Sequence, residues 1–208
     1  MITKKKGLTR SEKSAKTKQR IFQGAMELFE KNGFENVTMK EIASFTQTSI
    51  GSIYHFFKDK DSIALYMMAA IDHQYQEYFK ELGIMSVSKS MSAMEQLKRF
   101  CVRIPLISVS LGDLSLSLIY IHGLKHLEQD NLRMDNRQIY VILEYLINKC
   151  KEEGSLDIFC SNEDIKRRII ILARGLLLDW LFSGHAFDIE RESDYMMSLL
   201  LDEIKKIN

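Results

Sequence analysis

The side chains with the clearest chemistry lie between Thr38 and Asp61. Thr38 and Glu41 are three residues apart, the spacing at which a threonine hydroxyl accepts from the Glu41 amide while the carboxylate reaches back to the Thr38 amide. Ser49 can cap a second short helix after a polar turn. Two short helices joined by a tight turn form a helix-turn-helix, whose second helix enters the DNA major groove. The spacing therefore predicts a DNA-binding element.

A second candidate is the pair His122 and His126, four residues apart on a predicted helix. That spacing can place two imidazoles on one metal ion, with Glu128, Asp130 or a residue on another helix as the third ligand. Two histidines without a fixed third ligand are weak evidence, and the plainer interpretation is a polar ligand contact for His122 and an exposed His126. No GxSxG, P-loop, GxGxxG or HExxH motif occurs. We therefore expect neither an enzyme nor a cofactor.

Charge divides unevenly along the chain. Residues 1–20 contain eight Lys or Arg and one Glu, a net charge of +7, so the rest carries −6 of the overall +1. A basic arm ahead of a DNA-binding domain would neutralise phosphates or enter the minor groove. The alternative is a disordered, solubilising tail.

Composition excludes several other classes. With 208 residues, 46% of them apolar, the chain can bury a sizeable core in one large or two small domains. No signal peptide is expected, because no apolar region follows Lys4–Lys6. The nearly uncharged stretch 104–124 is broken by Pro105, Gly112 and Asp113, which makes it a poor membrane span. Three cysteines without a CxxC pair suggest buried, reduced thiols and a cytoplasmic protein, with a redox sensor as the alternative.

Helices must position these groups, because apolar residues recur at helical rather than alternating spacing throughout. Ile21, Ala25, Leu28 and Phe29 lie on one face of a first helix that Gly33 can end. Asp59 can cap a long helix that ends near Gly83, before a polar connector over residues 85–92. Later helices are predicted at about 92–104, 109–129, 133–153, 162–183 (capped by Ser161) and 190–206.

The segment TMKEIASFTQTSIGSIYHFFKDKD (38–61) resembles the DNA-binding segment of the tetracycline-repressor (TetR) family, T-x-x-x-I-A-x-x-x-G-V-S-x-G-T-L-Y-x-H-F-x-x-K-E. Residues matching in register are Thr38, Ile42, Ala43, Ser49, Gly51, Tyr54, Phe57 and Lys60. The resemblance is specific over about residues 16–66. It implies an all-α fold of about nine helices: a basic arm (1–15), a three-helix head with the helix-turn-helix (16–62), and a ligand-binding and dimerisation body (63–208).

The resemblance also implies roles for single residues of the head. Thr38, Tyr54, His55 and Lys60 would contact phosphates, and Gly51 would allow the backbone close to DNA. Thr48, Ser49, Ile50 and Ser52 would approach base edges, where Ile50 can pack on a thymine methyl. The chain departs from the family pattern at Gln47, which replaces the turn glycine and would have to adopt any positive φ required there.

In that family the last two helices pair with those of a second subunit. Residues 169–182 are apolar on nearly every side, which a surface helix of a monomer should not be. A palindromic DNA site also needs two heads at a fixed spacing, which favours a homodimer over a central core helix in a monomer. The predicted interface comprises Ala173, Gly175, Leu177, Met197, Leu200, Leu201 and Ile204.

The resemblance further implies a small-molecule pocket among the central helices, and the scarcity of charge over residues 104–124 agrees with an apolar one. Arg99, Arg103 and Arg137 could hold an anionic head group. The candidate lining is Phe79, Phe100, Arg103, Ile104, Ile107, Leu118, Tyr120, His122, Tyr140 and Trp180.

These expectations combine into a cytoplasmic homodimeric transcription regulator, a repressor that binds a palindromic operator in double-stranded DNA. A small apolar or amphipathic effector would release it, and no membrane partner is expected. Two alternatives stand beside it. One is a ligand-independent DNA-organising or partner-binding protein on the same fold, and the other is a metal-dependent sensor or enzyme that uses His122 and His126.

Overall fold

The computed structural model describes residues 9–125, 137–156 and 159–205, without the side chains of residues 89 and 122–125. Those ranges contain nine α-helices and no strand, which confirms the all-α prediction. The helices are α1 (Arg10–Asn32), α2 (Met39–Phe45), α3 (Ile50–Phe56), α4 (Lys60–Lys89), α5 (Ala93–Val109), α6 (Asp113–Lys125), α7 (Gln138–Glu152), α8 (Asn162–Phe182) and α9 (Ile189–Glu203).

The chain divides into two units, Met1–Met67 and Met68–Asn208, here called the head and the body. In the head, Ile21 and Ala25 of α1 are fully buried together with Ile42 of α2 and Ile53 of α3. The approach of α1 to α2 requires Gly24, because a Cβ at that position would lie 2.4 Å from Cγ2 of Thr46. The close packing of α1 against α2 therefore depends on having glycine, which has no side chain, at position 24.

Helix α1 begins earlier than the sequence analysis expected. Thr9 and Glu12 form a complete capping box: the Thr9 amide donates to Glu12 Oε2 at 2.6 Å, and the Glu12 amide donates to Thr9 Oγ1 at 3.3 Å. The Thr-x-x-Glu spacing of residues 9–12 is the sequence signal for this helix start. Residues 10–15, predicted to belong to a basic arm, lie on α1, while residues 1–8 fall outside the described ranges.

The core of the body is built around α5, which packs against α7, α8 and α9. Leu97 and Phe100 of α5 are fully buried, as are Leu143 and Leu146 of α7. Burying a side chain of this size contributes about 1.5–3 kcal/mol relative to leaving it in water. Apolar packing therefore supplies most of the stabilisation of the body.

Two predicted helix ends are wrong. Helix α4 continues through Gly83 to Lys89 and is followed by Ser90 at φ 50, so much of the predicted polar connector is helical. Glycine inside a helix costs only about 1 kcal/mol relative to alanine and does not by itself end it. Helix α5 likewise continues past Pro105 to Val109, because the flanking Ile104 and Ile107 are buried in the core and offset the lost hydrogen bond.

No single helix in the described ranges is long and apolar enough to cross a bilayer. Helix α5 and α6 up to Ile121 reach that length and composition only as a pair, bent by 97°.

Candidate nucleic-acid interface

Helix α2 begins at the predicted capping box. The Glu41 amide donates to Thr38 Oγ1 at 3.2 Å, while the amide and the hydroxyl of Thr38 both donate to Glu41 Oε2 at 2.7 Å. These bonds, above all the one from the Thr38 hydroxyl, hold the pKa of Glu41 below its ordinary value. Both Thr38 donors are thus directed to Glu41, so Thr38 fixes the start of α2 rather than presenting a hydrogen to a phosphate.

The turn between α2 and α3 adopts the backbone that the sequence analysis left open. Gln47 has φ 50, the left-handed region that glycine favours. The Thr48 amide donates to the Ala43 carbonyl at 2.9 Å, and the Thr46 hydroxyl donates to the Ile42 carbonyl at 2.7 Å. These bonds hold the turn closed with a glutamine at the strained position.

Helix α3 presents its exposed face from a fixed start. The Ser49 side chain accepts from the Ser52 amide at 3.1 Å, and its hydroxyl donates to the Ser52 hydroxyl at 2.9 Å. Ile53 is fully buried and anchors the opposite side of the helix. Ile50 and Tyr54 are large side chains left 39% and 56% exposed, and the neighbouring Gly51 and His55 are exposed as well. Because the cap fixes the start of α3 and Ile53 anchors its buried side, the exposed side chains of α3 can contact another molecule together.

Lys60 has a different role from the predicted phosphate contact. Its Nζ donates to the carbonyls of Phe34 and Glu35 at 2.7 and 3.2 Å, and it lies 4.7 Å from the centroid of the Phe34 ring. The ammonium therefore secures the corner between α1 and α2 to the first turn of α4. Sequence spacing could not reveal this, because the partners are backbone carbonyls 25 and 26 residues away.

Comparison with known proteins agrees with this geometry. Residues 21–67 match the family model described as bacterial regulatory proteins, tetR family. Residues 21–67 of this chain are a TetR-family DNA-binding domain.

Two sequence relatives and one solved structure illustrate the likeness to TetR-family proteins. The transcriptional repressor AcnR of Corynebacterium glutamicum is 29% identical over 80 residues, covering 38% of this chain and 43% of AcnR. An HTH-type transcriptional regulator of Staphylococcus aureus is 24% identical over 204 residues, covering 91% of this chain and 95% of that protein. Thermus thermophilus FadR, a TetR-family repressor solved with lauroyl-CoA, superposes with a TM-score of 0.67 at 21% identity, covering 92% of this chain and 96% of FadR. The match to AcnR thus spans less than half of either protein, and the structural likeness shows the TetR-family fold.

The predicted subunit contact requires correction. Ala173, Leu177, Met197, Leu201 and Ile204 are each at most 4% exposed and are buried within the single chain. Of the other two predicted residues, Leu200 is partly buried and Gly175 is exposed. Helix α8 is apolar on nearly every side, so its sequence could not indicate which side faces its own body.

The sides of α8 and α9 that face outward carry another apolar set. Ile171 and Phe182 of α8 are 64% and 84% exposed, and they share one side of the helix with Gly175. Tyr195 and Leu199, four residues apart on α9, are 58% and 52% exposed. Exposed apolar residues clustered on two neighbouring helices are typical of a protein contact.

The predicted pocket residues are divided between two packing clusters. Phe79, Phe100, Ile104, Ile107 and Tyr140 belong to the main core or pack against it, whereas Tyr120 and Trp180 pack with Leu116, Leu177 and Ile189. Leu118 is buried, and Arg103 is exposed with its guanidinium 5.6 Å from the Tyr78 ring centroid. Trp180 stacks on His185 with 3.8 Å between ring centroids and donates from its indole to the Phe187 carbonyl at 3.1 Å. The described residues thus do not gather this set around one space.

Two of the three arginines proposed for an anionic head group are already paired. Arg137 Nε donates to both carboxylate oxygens of Asp72, at 2.9 and 2.7 Å, and both side chains are mostly buried. Arg99 is exposed and binds Glu95 through two nitrogens. An incoming anion would therefore meet a carboxylate already paired with either arginine.

The sequence analysis proposed His122 and His126 as a metal-binding pair. His126 lies outside the described ranges, and so does the side chain of His122. Among the residues that are described, no three His, Cys, Asp or Glu side chains gather as a metal site. Cys101 and Cys150 are buried free thiols, and burial raises the pKa of Cys150 to about 11, so neither suits thiolate chemistry at neutral pH.

Proposed function

We propose that this protein is a homodimeric transcriptional repressor of the cytoplasm that binds a palindromic operator and is released by a small apolar or amphipathic molecule. The observation that carries the proposal is the exposed face of α3, with Ile50, Gly51, Tyr54 and His55 projecting from a capped helix in a TetR-family head. A helix presented in this way suits insertion into the major groove.

The exposed face of α3 divides into two kinds of contact. The Tyr54 hydroxyl can donate to a phosphate and so contribute to affinity for any duplex. Ile50 has no hydrogen-bonding group, so its contribution is an apolar contact to a base edge such as a thymine methyl. Thr48 and Ser52 are partly buried and serve mainly to support the turn and the cap.

The test is DNA binding by three single variants. An operator duplex is first selected from random DNA by the wild-type protein. Tyr54→Ala should weaken binding to operator and random duplex alike. Ile50→Ala should instead change the binding free-energy difference between operators that differ at one base pair, by about 1–3 kcal/mol. Tyr145→Ala removes a tyrosine of similar exposure (55%) from the body and serves as the control. If both head variants bind like the control, α3 is not the recognition helix.

The homodimer rests on the apolar outward side of α8 and α9. A palindrome requires two heads related by a two-fold axis, and a two-fold interface uses the same patch on both subunits. The double variant Ile171→Asp/Phe182→Asp should sediment as a monomer, because carboxylates at the contact would lose their water on assembly. Val87→Asp changes a residue of α4 with the same 84% exposure as Phe182 and should remain dimeric. A dimeric double variant would place the contact elsewhere.

Release by an effector requires that the ligand bind the DNA-incompetent state more tightly than the competent one. Helix α4 supports such coupling, because its 30 residues run without interruption from Lys60 in the head to Lys89 in the body. Since the FadR relative was solved with lauroyl-CoA, an acyl-CoA is a suitable amphipathic probe.

The probe for release is lauroyl-CoA, with coenzyme A as the control that lacks the acyl chain. A coupling of about 1–3 kcal/mol would lower operator affinity roughly five- to 150-fold, and operator would weaken binding of the probe by the same factor. Equal operator affinity with and without the acyl-CoA would exclude this class of effector. If a broader panel of amphipathic molecules also failed, the DNA-organising alternative would then lead.

A further inference from the structure

We propose that the first two turns of α1 form a second DNA contact, a cleft that holds the phosphate backbone beside the groove entered by α3. This inference rests on the proposed DNA-binding function and extends it to residues outside the helix-turn-helix. The cleft has a volume of about 550 Å³ and lies between α1 and α3.

One side of the cleft is a stripe on α1. Arg10, Lys13, Ser14 and Thr17 line it, at the i, i+3, i+4 and i+7 spacing that places them on one face of a helix. The Thr9–Glu12 capping box fixes the start of α1, so Arg10 and Lys13 project from an ordered turn. Two cations one turn apart on a rigid helix can bind neighbouring phosphates with little loss of backbone entropy.

The opposite side of the cleft is the recognition helix itself. Gly51, Ser52 and His55 of α3 line it, so the cleft is continuous with the face assigned to DNA. A Cβ added at Gly51 would meet no atom within 4 Å, so the backbone here is open to a close approach. An occupant of the cleft would therefore touch α1 and α3 together.

Charge selects the occupant. No carboxylate is among the described residues that line the cleft, whereas Arg10 and Lys13 supply two positive charges. Glu12, the only acidic residue of the first twenty, accepts the Thr9 amide and lies on another side of α1. Lys18 is also turned away, with Nζ 4.2 Å from the Tyr66 ring centroid. Lys16 and Arg20 of α1 are exposed but do not line the cleft. Arg10 and Lys13 are therefore the two cations that a DNA strand lying beside α3 would meet in this cleft.

The test is the salt dependence of operator binding by Arg10→Gln/Lys13→Gln in the full-length protein. Two lost phosphate contacts per head, four per dimer, should reduce the slope of log K against log salt by about three to four units. Lys31→Gln, which removes a positive charge from the far end of the same helix, should leave the slope within about one unit of wild type. Circular dichroism should show unchanged helix content in both variants. A double variant with the slope of Lys31→Gln would overturn the proposal.

Neutral phosphates provide an independent measurement. Methylphosphonates placed at successive positions flanking the major groove should weaken wild-type binding at one or two positions. The Arg10→Gln/Lys13→Gln protein should be insensitive at those same positions, because its partner groups are gone. Equal sensitivity of both proteins at every position would also overturn the cleft assignment. A wild-type protein that enriches no duplex from random DNA would instead overturn the proposed function itself.

Discussion

The head and the body are both helical, but different interactions define their structures. The head relies on short-range polar devices at fixed spacing, such as the Thr38–Glu41 box, the Ser49 cap and the Lys60 bonds to two carbonyls. The body relies on apolar packing around α5, where many side chains of similar character surround one another. A spacing of three residues has one geometric meaning, whereas a run of leucines and isoleucines does not say which side is inside. Sequence motifs therefore predict the roles of single residues in the head, whereas in the body they predict only the helices.

The largest effect should come from the two sides of α8. Leu177→Ala, at a position 4% exposed, should lower the free energy of unfolding by about 2–5 kcal/mol at any protein concentration. Ile171→Ala, on the same helix but 64% exposed, should change the stability of the monomer by less than about 0.5 kcal/mol. Urea titrations at several protein concentrations separate the two, because only a dimer contact depends on concentration. A reversed order would mean that the inward and outward sides are exchanged.

The next effect tests whether the head depends on close helix approach. Gly24→Val should destabilise the head by about 3 kcal/mol, since its side chain would overlap Thr46. Gly83→Ala, in a helix where an added Cβ meets nothing within 4 Å, should instead stabilise by about 0.5–1 kcal/mol. Hydrogen exchange measured by segment should show the loss in α1 and α2. Uniform loss across α7 and α8 would contradict the division into two units.

Helix capping should produce a smaller effect with a defined pH dependence. Thr38→Ala should cost about 1 kcal/mol, while Thr17→Ala within α1 should cost less, because alanine favours helix. Since the pKa of Glu41 is lowered from 4.5 in the folded protein, its contribution is complete above that value and is lost as pH falls through the lowered pKa. The wild-type head should therefore lose more stability than Thr38→Ala on acidification. Parallel pH profiles for the two proteins would exclude the cap as the cause.

The smallest effect concerns the turn. Gln47→Gly should stabilise the head by about 0.5 kcal/mol, because relief of a positive φ outweighs the greater entropy of the unfolded glycine. Gln19→Gly, at an exposed position within α1, should destabilise by about 1 kcal/mol. Denaturation midpoints of the two variants should move in opposite directions. A loss of stability in Gln47→Gly would indicate that the glutamine side chain itself supports the turn.

Local signals predicted the head well. The Thr38 and Ser49 caps occur as expected, and the same Thr-x-x-Glu spacing marks the start of α1 at Thr9. The role of Lys60 was beyond local spacing, since its hydrogen-bond partners are backbone carbonyls distant in sequence. The family pattern identified Gln47 as a position that could require a positive φ, and its φ of 50 shows that it does.

In the body, the sequence predicted the helices but not which side of each helix is buried. Leu177 and Met197 were assigned to a subunit contact because they lie on apolar helices, yet both are core residues of one chain. Which side of such a helix is buried depends on neighbouring helices such as α5 that are distant in sequence. The spacing of apolar residues within one helix gives no information about those neighbours. For the same reason, the predicted pocket residues lie in two separate packing clusters.

Trp180, the only tryptophan of the chain, stacks on His185 at the corner between α8 and α9. Its fluorescence therefore reports on that corner of the body, and no tryptophan in the head contributes to the signal. Circular dichroism at helical wavelengths, in contrast, sums all helices of both units. Recording the two spectra along one urea titration distinguishes a single cooperative transition, in which the curves coincide, from separate melting of head and body. The natural sequence thus supplies an optical label for one unit without any engineered probe.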